Sequence, residues 1–445
     1  MIKVRFAPSP TGRLHVGNIF VAIQNWLFAK SQGGIFLLRL DDTDRERSKE
    51  ELAQGIQEDL SWLGLRWDEF DRQSFRLKNY DLAAEKLKAN GRLYPCYESA
   101  EELSLKRKTQ LSQGKPPIYD RAALKLTKDD KERLEAQGHK PHWRFMLEGR
   151  DVRWGDLVRG PQHIDETSQS DPVLIREDGT YLYTLTSAVD DIDMSVTHII
   201  RGNDHVTNTA TQIQIFEALG AKAPHFAHLP LVTDASGEGL SKRLGSLSIG
   251  EMRKDGFDPL AITAYLAKIG TGDPVEPISS IEELAKGHDI GKFGKGSPRF
   301  DSQELLHLNA KILHKMSYEM ALSRAKDLGI EDFPKPLWEA AQANLERLSD
   351  IKGWHKVCSD ILTPHVTDEG YLKVALELLP PDPWNEKSWG IWTGSLKEKT
   401  GRKGKELFMP LRLALTGADH GPEMKLLLPL IGPAKVRARL MGQKA

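Results

Sequence analysis

The chain has 445 residues, 28% charged and 39% hydrophobic, with a net charge of −1; this is the balance of a globular protein with room for about three domains and a large core. No run of about 18 apolar residues occurs, which excludes a membrane-spanning helix. The opening MIKVRFAPSP lacks the apolar stretch of a signal peptide, so a cytoplasmic location is expected. Two cysteines, Cys96 and Cys358, are too few for a disulfide framework or a four-cysteine zinc site.

Strand and helix signals alternate at the start. Ile2, Val4 and Phe6 alternate with Lys3 and Arg5, the period of a half-buried strand. An SPTG turn leads to a helix with Ile19, Ile23, Trp26 and Lys30 at helical spacing, ended by Gly33 and Gly34. Residues 35–40 form a short apolar run suited to a buried parallel strand. Ser48 and Glu51 have capping-box spacing before a helix with Leu52, Ile56, Leu60 and Leu63 on one face. This βαβα start predicts an open parallel sheet with helices on its faces.

From about residue 95 to 169 the pattern loosens into charged sequence and reads as an insertion; alternation resumes near Tyr181, with a strand at 196–200 and a helix face of Ile213, Phe216 and Leu219. His198, inside that strand, reads as a core histidine. Beyond about residue 301 the signals are helical, with Leu337, Ala341, Leu345 and Leu348 on one stripe. Residues 391–445 hold 11 Lys/Arg against 4 Asp/Glu, a charge of +7 on an otherwise acidic chain, which is a footprint for phosphates.

Two stretches carry chemistry. FAPSPTGRLHVGN, residues 6–18, joins the first strand to the first helix, where open α/β sheets bind ligands and helix N–H groups await an anion. His15 falls where the helix begins. Gly17 lets a base or ribose approach the backbone, and His15 or Asn18 can donate to phosphate oxygens as charge develops. The second stretch, DASGEGLSKRLGS, is a small-residue loop holding Ser241, Lys242 and Arg243. A mobile point charge beside a bidentate fork can close on a triphosphate and act at the transition state.

Together these stretches resemble the paired signatures of class I aminoacyl-tRNA synthetases, a His-Ile-Gly-His-like motif and a downstream Lys-Met-Ser-Lys-Ser-like motif. Here they stand as His15-Val16-Gly17-Asn18 and Gly239-Leu240-Ser241-Lys242-Arg243. RFAPSPTGRLHVGN, LRLDDTDRERS and THIIRGNDHVTNT are similar to glutamyl-tRNA synthetases, over roughly the first 300 residues. Two departures stand out: Asn18 replaces the last His, and Gly239 replaces the first Lys. Lys242, helped by Arg243, is left to meet the pyrophosphate.

The resemblance implies an α/β architecture. A Rossmann-like parallel-sheet catalytic domain occupies residues 1–95 and 181–235, split by an acceptor-end-binding insertion at 96–180. A region holding the second motif and a stem contact follows at 236–300, then a mostly α-helical anticodon-binding region at 301–445. It implies catalysis by His15, Gly17, Asn18, Ser241, Lys242 and Arg243. ATP would be bound by Pro8, Thr11, Gly12, His15, Gly17, Asp204, His205, Leu240 and Lys242. In the amino-acid pocket Arg5 would meet the side-chain carboxylate and Arg201 the main-chain end. Ser9 and Asp41 would hold the ammonium, while Tyr183 and Ser187 line the walls, Ser187 standing where other members carry Asn. Charge argues the same way, because two carboxylates and one ammonium need two cationic forks and an anion.

The expected substrates are ATP with Mg2+, L-glutamate and tRNA(Glu). No zinc is expected, since Cys96 is the only cysteine in the insertion, and the chain is expected to be a monomer that contacts no membrane. Glutamate would be activated as its adenylate and passed to the 2′-hydroxyl of the terminal ribose. Three rival readings are a relaxed enzyme that also charges tRNA(Gln), a shorter relative that glutamylates a modified tRNA base, and an inactive paralogue that only binds RNA. About 145 residues after Phe300 speak against the second; His15 and Lys242 speak against the third.

Overall fold

The computed structural model describes residues 1–240 and 248–445. They divide into two compact units: Met1–Ile249 with Leu266–Pro274 and Ser280–Phe300, and Gly250–Tyr265 with Val275–Ser279 and Asp301–Ala445.

The first unit contains ten strands: β1 (Lys3–Phe6), β2 (Ile35–Leu40), β3 (Glu69–Arg72), β4 (Leu93–Cys96), β5 (His142–Phe145), β6 (Asp151–Asp156), β7 (Gly160–Asp165), β8 (Val173–Ile175), β9 (His198–Gly202) and β10 (His225–Leu229). Seven form one sheet in the order β3-β2-β1-β9-β10-β6-β7. All neighbours in it are parallel except the β6–β7 hairpin. Chain order reverses beside β1, which has β2 on one side and β9 on the other; such a switch point opens a crevice at the carboxyl ends of the strands.

Helices α1 (Val16–Ser31), α2 (Glu50–Trp62), α3 (Leu77–Ala89), α4 (Ala100–Ser112), α5 (Lys128–Ala136), α6 (Tyr183–Asp193) and α7 (Val206–Ala218) follow in chain order. α1 buries Ile19, Phe20, Ile23, Trp26 and Leu27. Its Asn25 Nδ2 donates to the carbonyl of Ile200 at 3.0 Å, tying the helix to β9. The chain then returns into β2 past Gly34, where a Cβ would stand 2.6 Å from the Ile2 carbonyl oxygen. Only glycine allows that approach.

Two expectations change here. β1 was expected to show one face to solvent, yet Arg5 is as buried as Val4 and Phe6. A central parallel strand is covered on both faces, and β2 is likewise buried from Phe36 through Leu40, Arg39 included. The capping box at Ser48 does not form. The N-cap of α2 is Lys49, without a side-chain cap bond, and Ser48 Oγ has no partner among the described residues.

The segment read as an insertion has two destinations. β4, β5 and β8 build a separate antiparallel sheet, whereas β6 and β7 extend the main sheet beyond β10. α4 and α5 bury no residue, as charged helices without an apolar stripe should not.

The second unit is helical. Its core joins Tyr371, Leu372 and Ala375 to Trp392, Leu396, Leu407, Leu411 and Leu427. The Leu337–Leu348 stripe is buried but is not one helix: Lys335–Ala341 gives way to 3-10 turns at Gln342–Asn344 and Leu348–Asp350. One cation of the basic terminal segment is not on the surface. Arg439 is fully buried and donates to the carbonyls of Val357, Leu415 and Ala445 at 2.7–2.8 Å. Its charge pins chain ends together and is unavailable to phosphates. No helix among the described residues is long and apolar enough to cross a membrane.

Candidate active site

A cleft of about 910 Å³ opens at the carboxyl ends of β1 and β9. Thirteen of the residues singled out from sequence line it: Arg5, Pro8, Ser9, Thr11, His15, Gly17, Asn18, Asp41, Tyr183, Arg201, Asp204, His205 and Leu240. Gly12 is exposed on the turn outside the lining, with nothing near a Cβ built there. Ser187 is fully buried behind the wall, where it accepts from Gln212 Nε2 at 2.7 Å. Ser241, Lys242 and Arg243 lie outside the described residues.

The first motif is a helix cap. His15 precedes α1, and its Nδ1 accepts the Gly17 N–H at 3.1 Å; Asn18 Oδ1 accepts the His15 N–H at 3.3 Å, completing a capping box. An acceptor Nδ1 places the neutral ring's proton on Nε2. Burial lowers the His15 pKa below its ordinary value, so at neutral pH the imidazole is an uncharged donor at the positive end of a helix. Gly17 suits this packing, because a Cβ there would lie 3.0 Å from His15 Cε1 and the ring would have to shift by a few tenths of an ångström. The same position is 3.8 Å from Leu240 Cδ1. The chain re-emerges at Ser248, bridged to His15, and the Ile249 N–H donates to the Leu14 carbonyl at 3.1 Å. Both flanks of the second motif therefore abut the first.

The opposite wall holds two buried guanidinium groups. Arg5 donates through Nε to Asp191 at 3.1 Å, and its two Nη groups have no acceptor among the described residues. Arg201 donates to His228 Nε2 at 3.2 Å, Tyr183 OH at 3.1 Å, Gln212 Oε1 at 2.8 Å, Thr209 Oγ1 at 2.8 Å and the His205 carbonyl at 3.3 Å. Every one of these partners is neutral. Among the described residues no carboxylate pairs with Arg201, and its pKa is lowered by burial and then by Arg5. His228 fixes the geometry from behind: its Nδ1 faces Asp156, so Nε2 carries the lone pair that receives Arg201. Burial also lowers the His228 pKa, which keeps that lone pair free.

A buried cation with only neutral partners is an anion site. Arg201 meets that description, and Arg5, paired with Asp191 through Nε alone, adds a second cation, so the pair suits a dicarboxylate. Asp41, also on the cleft, supplies the anion: both its oxygens accept from Arg39, at 2.7 and 3.2 Å, and burial pushes its pKa up to about 6. Sequence reading gave no role to Arg39, Asp191, Gln212 or His228: the last three lie outside the quoted motifs, and Arg39 sits inside LRLDDTDRERS without a chemistry of its own. The signal available was charge inside apolar runs, as in IFLLRL.

Among the described residues no group of three or more His, Cys, Asp or Glu converges to hold a metal. Cys96 and Cys358 are free thiols whose pKa values burial raises to about 11.

Residues 1–307 match the family model for tRNA synthetases class I (E and Q), catalytic domain, and residues 368–443 match the anticodon binding domain. The chain is 55% identical over 445 residues to a glutamate–tRNA ligase of Azospirillum brasilense, covering all of both chains. It is 54% identical to glutamate–tRNA ligase 1 of Maricaulis maris, again over the whole of both. Among solved structures, the glutamate–tRNA synthetase of Elizabethkingia anophelis aligns with a TM-score of 0.84 at 27% identity, covering 99% of this chain and 98% of that one. Motif, cleft and full-length likeness agree, and the chain belongs to the glutamate–tRNA ligase family of class I aminoacyl-tRNA synthetases.

Proposed function

We propose that the cleft activates L-glutamate with ATP and passes it to the terminal ribose of tRNA(Glu). The observation that carries this reading is Arg201, a buried guanidinium with only neutral partners, beside Arg5 and across from Asp41. Arg5 takes the side-chain carboxylate, Arg201 steadies the main-chain end, and Asp41 with Ser9 holds the ammonium. Tyr183 stays in place by accepting from Arg201 and packing on His205, with ring centres 5.3 Å apart. Ser187 works one step back, through Gln212, on the same guanidinium.

ATP sits along residues 8–18 and Leu240, with Asp204 and His205 lining the same cleft. A carboxylate oxygen of glutamate attacks the α-phosphorus in line; the new P–O bond forms as the bond to pyrophosphate breaks. His15 Nε2–H is a preorganised donor, and the positive end of α1 a fixed field, for the charge that builds on phosphate oxygens. Lys242 and Arg243 draw off pyrophosphate. The 2′-hydroxyl of the terminal ribose then attacks the acyl carbon and AMP leaves. Positioning and electrostatics carry most of the rate, as in phosphoryl transfer generally. Magnesium enters as the counter-ion of the triphosphate, where it neutralises phosphate charge.

The segment around β4, β5 and β8 takes the acceptor end, and the helical unit takes the anticodon loop, whose unstacked bases can be read singly. The test is stoichiometry: with purified tRNA(Glu), each glutamate esterified should release one AMP and one pyrophosphate. Esterification without AMP release would refute the adenylate.

A further inference from the structure

Behind the cleft wall lies a cluster of ionised side chains outside the cleft lining. Arg39 on β2 is fully buried and Asp191 on α6 nearly so. Arg39 grips both oxygens of Asp41 through Nε and Nη2, at 2.7 and 3.2 Å, and reaches Asp191 Oδ1 through Nη1 at 2.8 Å. That same oxygen accepts Arg5 Nε at 3.1 Å. The two cleft-lining groups of opposite charge, Arg5 and Asp41, are thus joined through one planar fork and one carboxylate.

We propose that Arg39 and Asp191 are positioning residues that set the spacing between the carboxylate-binding Arg5 and the ammonium-binding Asp41, and so the length of amino acid the site accepts. The inference rests on reading the cleft as a glutamate site. Three observations carry it. First, the link is short and stiff: a guanidinium is planar and its donors cannot rotate independently. Second, the cluster is anchored from behind. Asp190, 3.7 Å from Arg39, accepts from Gln73 at 2.8 Å, Arg76 at 2.6 Å and Tyr80 at 2.9 Å. Third, Arg39, Arg5 and Arg76 meet the three carboxylates Asp41, Asp190 and Asp191, so the cluster's charges balance. Burial pulls the Arg39 pKa down, but Asp41, Asp191 and Asp190 together hold it well above the ordinary value.

A buried ion pair is a poor way to gain stability, since apolar side chains of the same volume do as well or better. Such a cluster beside the strand ends that floor the cleft has a use only if geometry matters. Glutamate and aspartate carry the same charges and differ by one methylene. A fixed distance between Arg5 and Asp41 separates them; a loose one does not.

The test compares Asp191→Asn, which keeps shape and removes charge, with Arg39→Lys, which keeps charge and removes the fork. Each variant is assayed for tRNA charging with glutamate and with aspartate, well below its melting temperature. The expected result is a KM for glutamate raised about tenfold or more, with kcat and the KM for ATP within about threefold. The preference for glutamate over aspartate in kcat/KM should fall by about tenfold. If Asp191→Asn does not fold, Arg39→Lys decides alone. Unchanged KM for glutamate and unchanged preference would overturn the proposal. So would a uniform loss in which kcat falls and the KM for ATP rises in step, the mark of a merely structural role. If the unaltered chain charges no glutamate, the reading of the site itself falls, and the inference with it.

Discussion

Arg201→Lys is the sharpest perturbation of the cleft. The guanidinium spreads five donor contacts over His228, Tyr183, Gln212, Thr209 and the His205 carbonyl, and still has no anionic partner among the described residues. A lysine ammonium is a single point with three donors. It cannot fill that fan, whereas the guanidinium engages all five of its N–H groups there and meets a carboxylate as a charge held in place. Losing the fixed placement of that buried charge against the carboxylate costs about 2–3 kcal/mol. That is about 30- to 150-fold in kcat/KM. That carboxylate is the nucleophile and its charge falls as the P–O bond forms, so the contact is at least as strong in the ground state and the loss should fall mainly on KM for glutamate. Gln212 and His228 lose a buried donor, so the melting temperature should fall too. The assay is the initial rate of glutamyl-tRNA formation against glutamate concentration, with the variant's melting curve recorded alongside. A variant that melts lower yet keeps its KM for glutamate would show that Arg201 is structural and that the anion site lies elsewhere.

Gly17→Ala would push a methyl to 3.0 Å from His15 Cε1; the ring must shift by a few tenths of an ångström from its capped position, and kcat should drop about tenfold or more with little change in KM for glutamate. Normal kcat would show that His15 has no catalytic task. Asp41 has a pKa of about 6 because it is buried; protonation removes the charge that holds the substrate ammonium, so KM for glutamate should rise as pH falls through about 6 and stay flat above. A flat KM down to pH 5 would contradict that role. The same shift has a stability sign: the folded chain binds this proton more readily than the unfolded one, so its contribution to stability declines as pH rises from about 4 to 6. Lys242→Ala should leave tRNA affinity nearly intact while cutting aminoacylation about a hundredfold or more, and near-normal charging would remove the second motif from the mechanism.

Much of the site was legible because its residues sit in contiguous stretches. His15, Gly17 and Asn18 are neighbours in sequence, and a helix cap is a local structure that a strand, a turn and a glycine announce. What stayed hidden depends on distance. Arg5 looked like the polar half of an alternating strand, since its partner Asp191 lies 186 residues away and only the finished sheet brings them together. Arg39 is two residues from Asp41, but its burial follows from the helices that cover β2. Ser187 was expected on the wall and lies behind it, because Gln212 from α7 stands between it and Arg201. The box at Ser48 failed for a local reason: the Ser48 N–H is bonded to the Asp44 carbonyl at 2.9 Å and the helix starts one residue later. In the helical unit the Leu337–Leu348 spacing correctly marked buried positions. It could not show the 3-10 turns, which keep similar side chains inward while breaking the axis.

The most direct measurement is to charge purified tRNA(Glu) and tRNA(Gln) in parallel with the unaltered chain, labelled glutamate and ATP. Efficient, ATP-dependent esterification of glutamate to tRNA(Glu) is the predicted result. Transfer to both would make this a ligase of relaxed tRNA choice, and no glutamate on either tRNA would contradict the reading of the cleft.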